Sequence, residues 1–320
     1  MKVCMESRAT RRFVLQATGA VVGVGLLTAR ASLSAAADSL PLIKKPIPSS
    51  KEMVPVVGLG TNNFDVGEPA DLAARKEVLQ GMPGLGGSVV DTAPLYGRSE
   101  AVIGNLVAEL GNRDRLFFAT KVMSRDSDGA DGKASIEESF RRLRTERIDL
   151  MQVHNLAGVE QLIPVLQALK QAKRIRYFGI TTSNPAQHPQ MMELMKRFPL
   201  DFIQVDYSID NREVANSVLP LALERHVGVL INSPLGGRRG AASVFSRVAN
   251  RPLPDWAAAI DAQSWAQVFL KYVVSHPAVT CALSGTSQLK HLDDNLRGAR
   301  GRLPDAAMRV RMEKYWDSNT

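Results

Sequence analysis

The stretch Ile148-Asp149-Leu150-Met151-Gln152-Val153-His154, followed after four residues by Val159-Glu160-Gln161-Leu162-Ile163-Pro164-Val165-Leu166-Gln167-Ala168-Leu169-Lys170-Gln171, decides the fold. The first segment is short, dominated by apolar side chains, and ends on a histidine; it reads as a strand. In the second, Val159, Leu162, Ile163, Leu166 and Leu169 recur at helical spacing and make one apolar face. The same alternation runs outward in both directions. Strands are expected at Val54–Leu59, Ser88–Asp91, Leu116–Lys121, Ile148–His154, Ile175–Ile180, Phe202–Val205, Val227–Ile231 and Val279–Leu283. Helices are expected near 68–80, 98–110, 134–145, 159–171, 186–196, 213–225, 257–274 and 288–298. Eight strand-then-helix units with right-handed crossovers imply a parallel α/β sheet closed into a TIM-type (β/α)₈ barrel. An open doubly wound sheet is the alternative. It calls for a G-x-G-x-x-G turn after the first strand, and Val56–Thr61 supplies only two of the glycines.

The chain has 320 residues, of which 45% are hydrophobic and 22% charged, a balance that suits a folded globular protein and not a disordered one. It opens with Thr10-Arg11-Arg12-Phe13-Val14-Leu15-Gln16, continues as an apolar, glycine-rich run to Leu27, and reaches Ala35-Ala36-Ala37. A charged start, a short apolar centre and an A-x-A site make a cleavable signal, and the paired arginines resemble the twin-arginine class. The apolar run is short for a spanning helix, which needs roughly 20 residues. The expected organisation is therefore a signal over 1–37, an irregular Pro-, Ser- and Lys-rich lead-in over 38–52, a barrel over 53–303 and a short tail over 304–320. Export to the periplasm by the twin-arginine machinery follows, without stable membrane insertion after cleavage; a cytoplasmic pool is the alternative if the signal is inefficient. A monomer is expected.

Net charge is +8, but residues 1–37 hold five bases and one acid, which leaves 35 bases against 31 acids, or +4, in the remainder. No clustered basic face suggests nucleic acid. Beyond the leader the only cysteine is Cys281, so neither an internal disulfide nor a cysteine-rich metal site is possible there.

In a TIM barrel the active site lies where the strands end. Polar residues at those ends are Asp91 and, in the loop after it, Tyr96; Lys121; and His154. Singly, each has an ordinary structural explanation: a cap, a solvated charge, a satisfied imidazole. Together, in order and on three consecutive strands, they resemble the tetrad of the aldo-keto reductases. The likeness runs from Gly58 to about Asn295, through Gly58-Leu59-Gly60-Thr61, Arg144–His154, Gly179–Asn184, Ser233-Pro234-Leu235 and Ser284–Gln288.

That resemblance implies hydride transfer between a nicotinamide cofactor, NADPH favoured and NAD possible, and a small-molecule aldehyde or ketone. Tyr96 would be the acid. A tyrosine keeps its proton at neutral pH, and an ammonium at Lys121 would stabilise the phenolate left behind. Asp91 would hold Lys121 charged, and His154 would orient the carbonyl oxygen. For the cofactor, the resemblance assigns Gly60 and Thr61 at the first strand end, and Ser183, Asn184 and Gln204 to the carboxamide. It assigns Ser233, Leu235, Gly236 and Arg238 to the pyrophosphate loop. Gly285, Thr286, Ser287 and His291 fall to the adenosine phosphate, and Asn295 to adenine. No metal is implied.

The chain departs from the family at three places. Asn232 stands where an aromatic residue usually stacks on the nicotinamide. Gly285 and His291 occupy the positions of basic residues that hold the 2′-phosphate of NADP, with Thr286, Ser287 and Lys290 close by in sequence. Ser284 replaces a proline. Two other readings fit the residues less well. A dinucleotide-binding or redox-sensing barrel without turnover would have no need of Lys121 beside Tyr96. A metal-dependent hydrolase would need several strand-end His and Asp ligands, and among the five histidines only His154 lies at a strand end.

Overall fold

A computed structural model describes residues 40–237 and 243–318. The export signal read at 1–37, and Arg238, lie outside the described residues. Eight parallel strands close the barrel: β3 (Val57–Gly60), β4 (Val89–Asp91), β5 (Phe117–Val122), β6 (Ile148–His154), β7 (Ile175–Thr181), β8 (Phe202–Asp206), β9 (Gly228–Asn232) and β10 (Cys281–Gly285), with β10 pairing back onto β3. The helices between them are α1 (Pro69–Gly81), α2 (Ser99–Leu110), α3 (Ala130–Arg142), α4 (Val159–Gln171), α5 (His188–Arg197), α6 (Val218–Glu224), α7 (Val244–Val248) and α8 (Trp265–Val274), with α9 (Leu289–Arg297) and α10 (Ala306–Ser318) after β10. Among the described residues no helix is long and apolar enough to cross a membrane.

Strand parity divides the interior into two zones. Toward the strand starts, Val89, Phe117, Leu150, Tyr177, Phe202, Leu230 and Cys281 pack into an apolar plug. The Phe117 and Tyr177 rings stack at 6.0 Å, and Phe202 meets Tyr177 edge-on at 5.7 Å. Two and four residues further along the same strand faces, the inward positions become Asp91, Lys121, Gln152, Gln204 and Asn232. Apolar burial at one end thus holds a polar layer at the other.

Several expectations are corrected. The lead-in read as irregular is a hairpin: β1 (Lys44–Pro46) pairs antiparallel with β2 (Met53–Pro55). It closes the base of the barrel, where Ile47 and Val54 join the plug and the Tyr177 hydroxyl donates to Ser50 Oγ at 2.7 Å. The strand expected over Val54–Leu59 is consequently split, since Pro55 has no N–H with which to continue a ladder. The helix expected over 213–225 breaks at Ser217 because Pro220 cannot donate to the Asn216 carbonyl. That over 257–274 breaks at Asp261, whose φ is +53°, and restarts at Trp265 under a Ser264 cap that accepts from Gln267 N at 3.1 Å.

The tail is helical. On α10, Tyr315 and Trp316 pack on Trp256, Trp265 and Phe269, with the Arg247 guanidinium 3.9 Å from the Trp316 ring centroid. Aromatic contact of this kind rewards a helix that polar composition alone would not announce.

Contact between α2 and α3 depends on Gly104. A Cβ there would lie 2.1 Å from the Arg142 carbonyl oxygen and 2.8 Å from Leu143, both backbone. Gly104→Ala is therefore expected to destabilise by about 1–3 kcal/mol, as overpacking does. A lower urea midpoint at constant m-value checks this; an unchanged midpoint would mean that the helices separate freely.

Candidate active site

The polar zone opens into a cavity of about 450 Å³ at the C-terminal ends of the strands. Asp91, Tyr96, Lys121 and His154 all line it, brought there by β4 and the loop after it, by β5 and by β6. Lys121 is almost wholly buried; its Nζ donates to Asp91 Oδ2 at 2.7 Å and to the Thr92 carbonyl at 2.8 Å. It lies 5.1 Å from the centroid of the Tyr96 ring. The His154 ring meets Tyr96 edge-on at 6.3 Å.

Burial works to strip Lys121 of its proton, but the Asp91 carboxylate and the Tyr96 oxygen outweigh it and raise the ammonium above its ordinary range. At Tyr96 the largest single influence is the Lys121 charge, which favours phenolate. Burial and the carboxylates of Asp91 and Asp206 together exceed it, and the phenol is raised above the usual tyrosine value. Tyr96 thus holds its proton at neutral pH. Lys121 favours the phenolate as expected, and burial together with the two carboxylates more than offsets it. His154 is lowered to about 4, first by burial and then by the Lys121 charge, so its ring is neutral.

Of the expected cofactor residues, Gly60, Thr61, Ser183, Ser233, Leu235, Gly236 and Gly285 line the cavity. Gly236 has φ +66°, and a Cβ there would press on Asp210 and Val244, so glycine is required. Asn184, Thr286, Ser287, His291, Asn295 and Gln204 do not line it. Asn184 caps the short turn Pro185–Gln187 by accepting from Ala186 N at 3.2 Å, and Thr286 Oγ1 accepts from Gln288 N at 3.2 Å. Gln204 is fully buried and engaged on both sides of its amide: Nε2 donates to Asn232 Oδ1 at 2.6 Å and to Asp91 Oδ2 at 3.3 Å, while Oε1 accepts from Gln152 Nε2. Asn232, in turn, donates to Ser183 Oγ at 3.4 Å, and Ser183 Oγ donates to Asp206 Oδ1 at 2.7 Å. A directed chain of polar groups therefore runs between two carboxylates, Asp91 and Asp206.

Gln152 and Asp206 were missed in the sequence. The available signal was parity: each lies two residues from an inward-facing position already noted, His154 or Gln204. Asn62, Asn155 and Phe245 also line the cavity and carried no signal. Among the described residues no group of three or more His, Cys, Asp or Glu could hold a metal ion.

The aldo/keto reductase family model matches residues 56–311. The chain belongs to this family. It is 26% identical over 291 residues to the Bacillus subtilis protein described as uncharacterized oxidoreductase YqkF, covering 81% of this chain and 92% of that one. A Klebsiella pneumoniae aldo-keto reductase solved in complex with NADPH superposes with a TM-score of 0.72 at 22% identity, over 86% of this chain and 96% of the other. The holo form of an aldo-keto reductase from Bacillus halodurans gives 0.66 at 26% identity, over 86% and 96%. In the family setting, the polar layer at the barrel mouth is the place for chemistry and the apolar plug its support.

A second neutral imidazole gives a stability prediction. His276 is lowered to about 4, by burial first and then by the charges of Arg309 and Lys45, and its Nδ1 accepts from Ala278 N at 3.2 Å. An accepting nitrogen has to be unprotonated. In the unfolded chain a histidine titrates near 6.5. Its contribution is thus complete above pH 6.5 and is lost progressively toward pH 4, reaching about 2 kcal/mol lost at pH 5. His276→Asn should show a smaller drop in urea midpoint between pH 7 and pH 5 than the parent chain. Equal drops would remove His276 from the account.

Proposed function

We propose that this enzyme reduces an aldehyde or ketone to the alcohol, with NADPH as hydride donor and Tyr96 as proton donor. The observation that carries the reading is the convergence of Tyr96, Lys121, Asp91 and His154 on one cavity, with Lys121 held between a buried carboxylate and the phenol.

The residues present fit a dinucleotide. Ser284 Oγ is buried at the cavity wall with no hydrogen-bond partner among the described residues. Gly60, Gly236, Gly237 and Gly285 leave backbone open to close approach. Helix α9 starts at Leu289 without a side-chain cap, and its positive end suits a phosphate. Ser183 would hold the carboxamide. The NADPH of the Klebsiella relative and the holo form of the Bacillus halodurans one support the cofactor assignment. Asn232 is an amide within the polar chain, so ring stacking is not part of the proposal.

When bound, NADPH supplies the hydride. Tyr96 gives its proton to the carbonyl oxygen as negative charge develops there. Lys121 stabilises the phenolate that remains, and Asp91 keeps Lys121 protonated. His154, neutral, donates a ring N–H to the carbonyl oxygen and fixes its direction. Purified protein is to be assayed with NADPH or NADH against aldehydes, ketones and sugars. Turnover that prefers NADPH supports the reading, and binding without turnover of any carbonyl contradicts it.

We also propose that the leader directs twin-arginine export, with the barrel folded and its dinucleotide loaded beforehand, because reduced nicotinamide is made in the cytoplasm. The paired Arg11 and Arg12 ahead of an apolar run and Ala35–Ala37 support it. Arg11→Lys with Arg12→Lys should leave the protein in the cytoplasm, and mass analysis of exported wild-type protein should find dinucleotide. Export that survives the double change, or exported protein that is uniformly empty, contradicts it.

A further inference from the structure

We propose that Asp206 sets the charge of the nicotinamide subsite: its carboxylate, held behind the cavity wall by Ser183, favours binding of the oxidised, positively charged dinucleotide over the reduced one. The proposal rests on the cofactor reading above.

Parity puts Asp206 on the inward face of β8, two residues beyond Gln204 and in register with Asn232 on β9. It is 5% exposed, so water screens it little. Ser183 and Asn232 line the cavity beside Tyr96 and His154, and Asp206 lies one hydrogen bond behind them.

The direction of the polar chain shows that Asp206 accepts. Asp91, paired with the Lys121 ammonium, draws the Gln204 NH₂ toward itself, which leaves Gln204 Oε1 for Gln152. The same NH₂ takes Asn232 Oδ1, so Asn232 turns its own NH₂ to Ser183. Ser183, accepting there, has its one proton for Asp206. Every link donates toward a carboxylate at one of the two ends. The Asp206 charge also reaches the cavity: with Asp91, it opposes ionisation of Tyr96.

A fixed negative charge beside the cavity discriminates between a neutral and a cationic ring. The reduced nicotinamide is neutral and the oxidised one is cationic. Asp206 therefore acts through charge on cofactor preference and positions Ser183. It is not itself a proton donor to substrate.

The test is fluorescence or calorimetric titration of NADP⁺ and NADPH into the wild type, Asp206→Asn, Asp206→Glu and Ser183→Ala. In Asp206→Asn the ratio of the two dissociation constants should move against NADP⁺ by about tenfold. Asp206→Glu, which keeps the charge, should restore most of the wild-type ratio. Ser183→Ala, which removes one donor to the carboxylate and leaves its charge in place, should shift the ratio toward NADP⁺, opposite to Asp206→Asn, and less far. Equal weakening of both forms in Asp206→Asn overturns the proposal, because Asp206 would then hold shape alone. If Asp206→Asn does not fold, the other two variants decide: an unchanged ratio in Ser183→Ala together with a changed one in Asp206→Glu overturns it. Wild-type protein that binds neither form overturns the cofactor reading, and this proposal with it.

Discussion

Tyr96→Phe is expected to lower carbonyl reduction by about 10²–10⁴-fold, the range of positioned acid catalysis, while leaving dinucleotide affinity nearly unchanged. Among the described residues, the phenol is the only group at the cavity placed to give a proton and have the resulting anion met by an ammonium. The Phe ring keeps the edge contact with His154 and the face presented to Lys121. The pH profile carries the same signature. Since burial and two carboxylates outweigh Lys121 and raise the phenol, the acid form persists through neutrality. Wild-type reduction should not fall from loss of the Tyr96 proton until pH exceeds the usual tyrosine range of about 10. Single-turnover rates with reduced nicotinamide and a reactive aldehyde measure the effect, and a variant that keeps more than half the rate would show another acid.

Lys121→Met is expected to be comparably harmful to the chemical step and also to cost stability. Lys121 and Asp91 are 1% and 3% exposed in their side chains and 2.7 Å apart. Removing one member of a buried pair leaves the other charge uncompensated, at about 3–5 kcal/mol. Asp91 already has one oxygen, Oδ1, without a hydrogen-bond partner among the described residues, so losing Lys121 strips away its main support. Asp91→Asn should be milder, because an amide oxygen still accepts from Lys121. Rates and urea midpoints of the two variants separate the effects. If Asp91→Asn proves much slower than Lys121→Met, the role of the charge has been assigned to the wrong residue.

The barrel was legible because each βα unit carries its own signal: a short apolar run, then apolar positions at helical spacing, as in Ile148–His154 and Val159–Gln171. The elements that escaped lack such a signal. Lys44–Pro46 and Met53–Pro55 are three-residue strands that exist because they cover the plug. Helix α10 is defined by aromatic contacts with residues about 50 positions earlier, among them Trp265 and Phe269. The breaks at Ser217 and Asp261 come from one proline and one left-handed residue, local facts that periodicity averages away.

At the site, Asp91, Tyr96, Lys121 and His154 could be grouped because strand ends order themselves around the barrel mouth. The polar chain could not, since Gln152, Gln204, Asn232, Ser183 and Asp206 come from three strands and a loop and meet only after closure. Their residue types also suit turns and strand ends, so nothing in the sequence separated Gln204, buried beneath Asp91, from Ser183, which faces the cavity.

The most direct test is a single-turnover experiment with purified protein, NADPH and a panel of aldehydes and ketones, run in parallel with Tyr96→Phe. Loss of reduced nicotinamide matched one for one by alcohol in the wild type, and reduced by orders of magnitude in a variant that still binds NADPH, is the predicted result. NADPH binding with no carbonyl reduced by the wild type, or equal rates in both proteins, would contradict it.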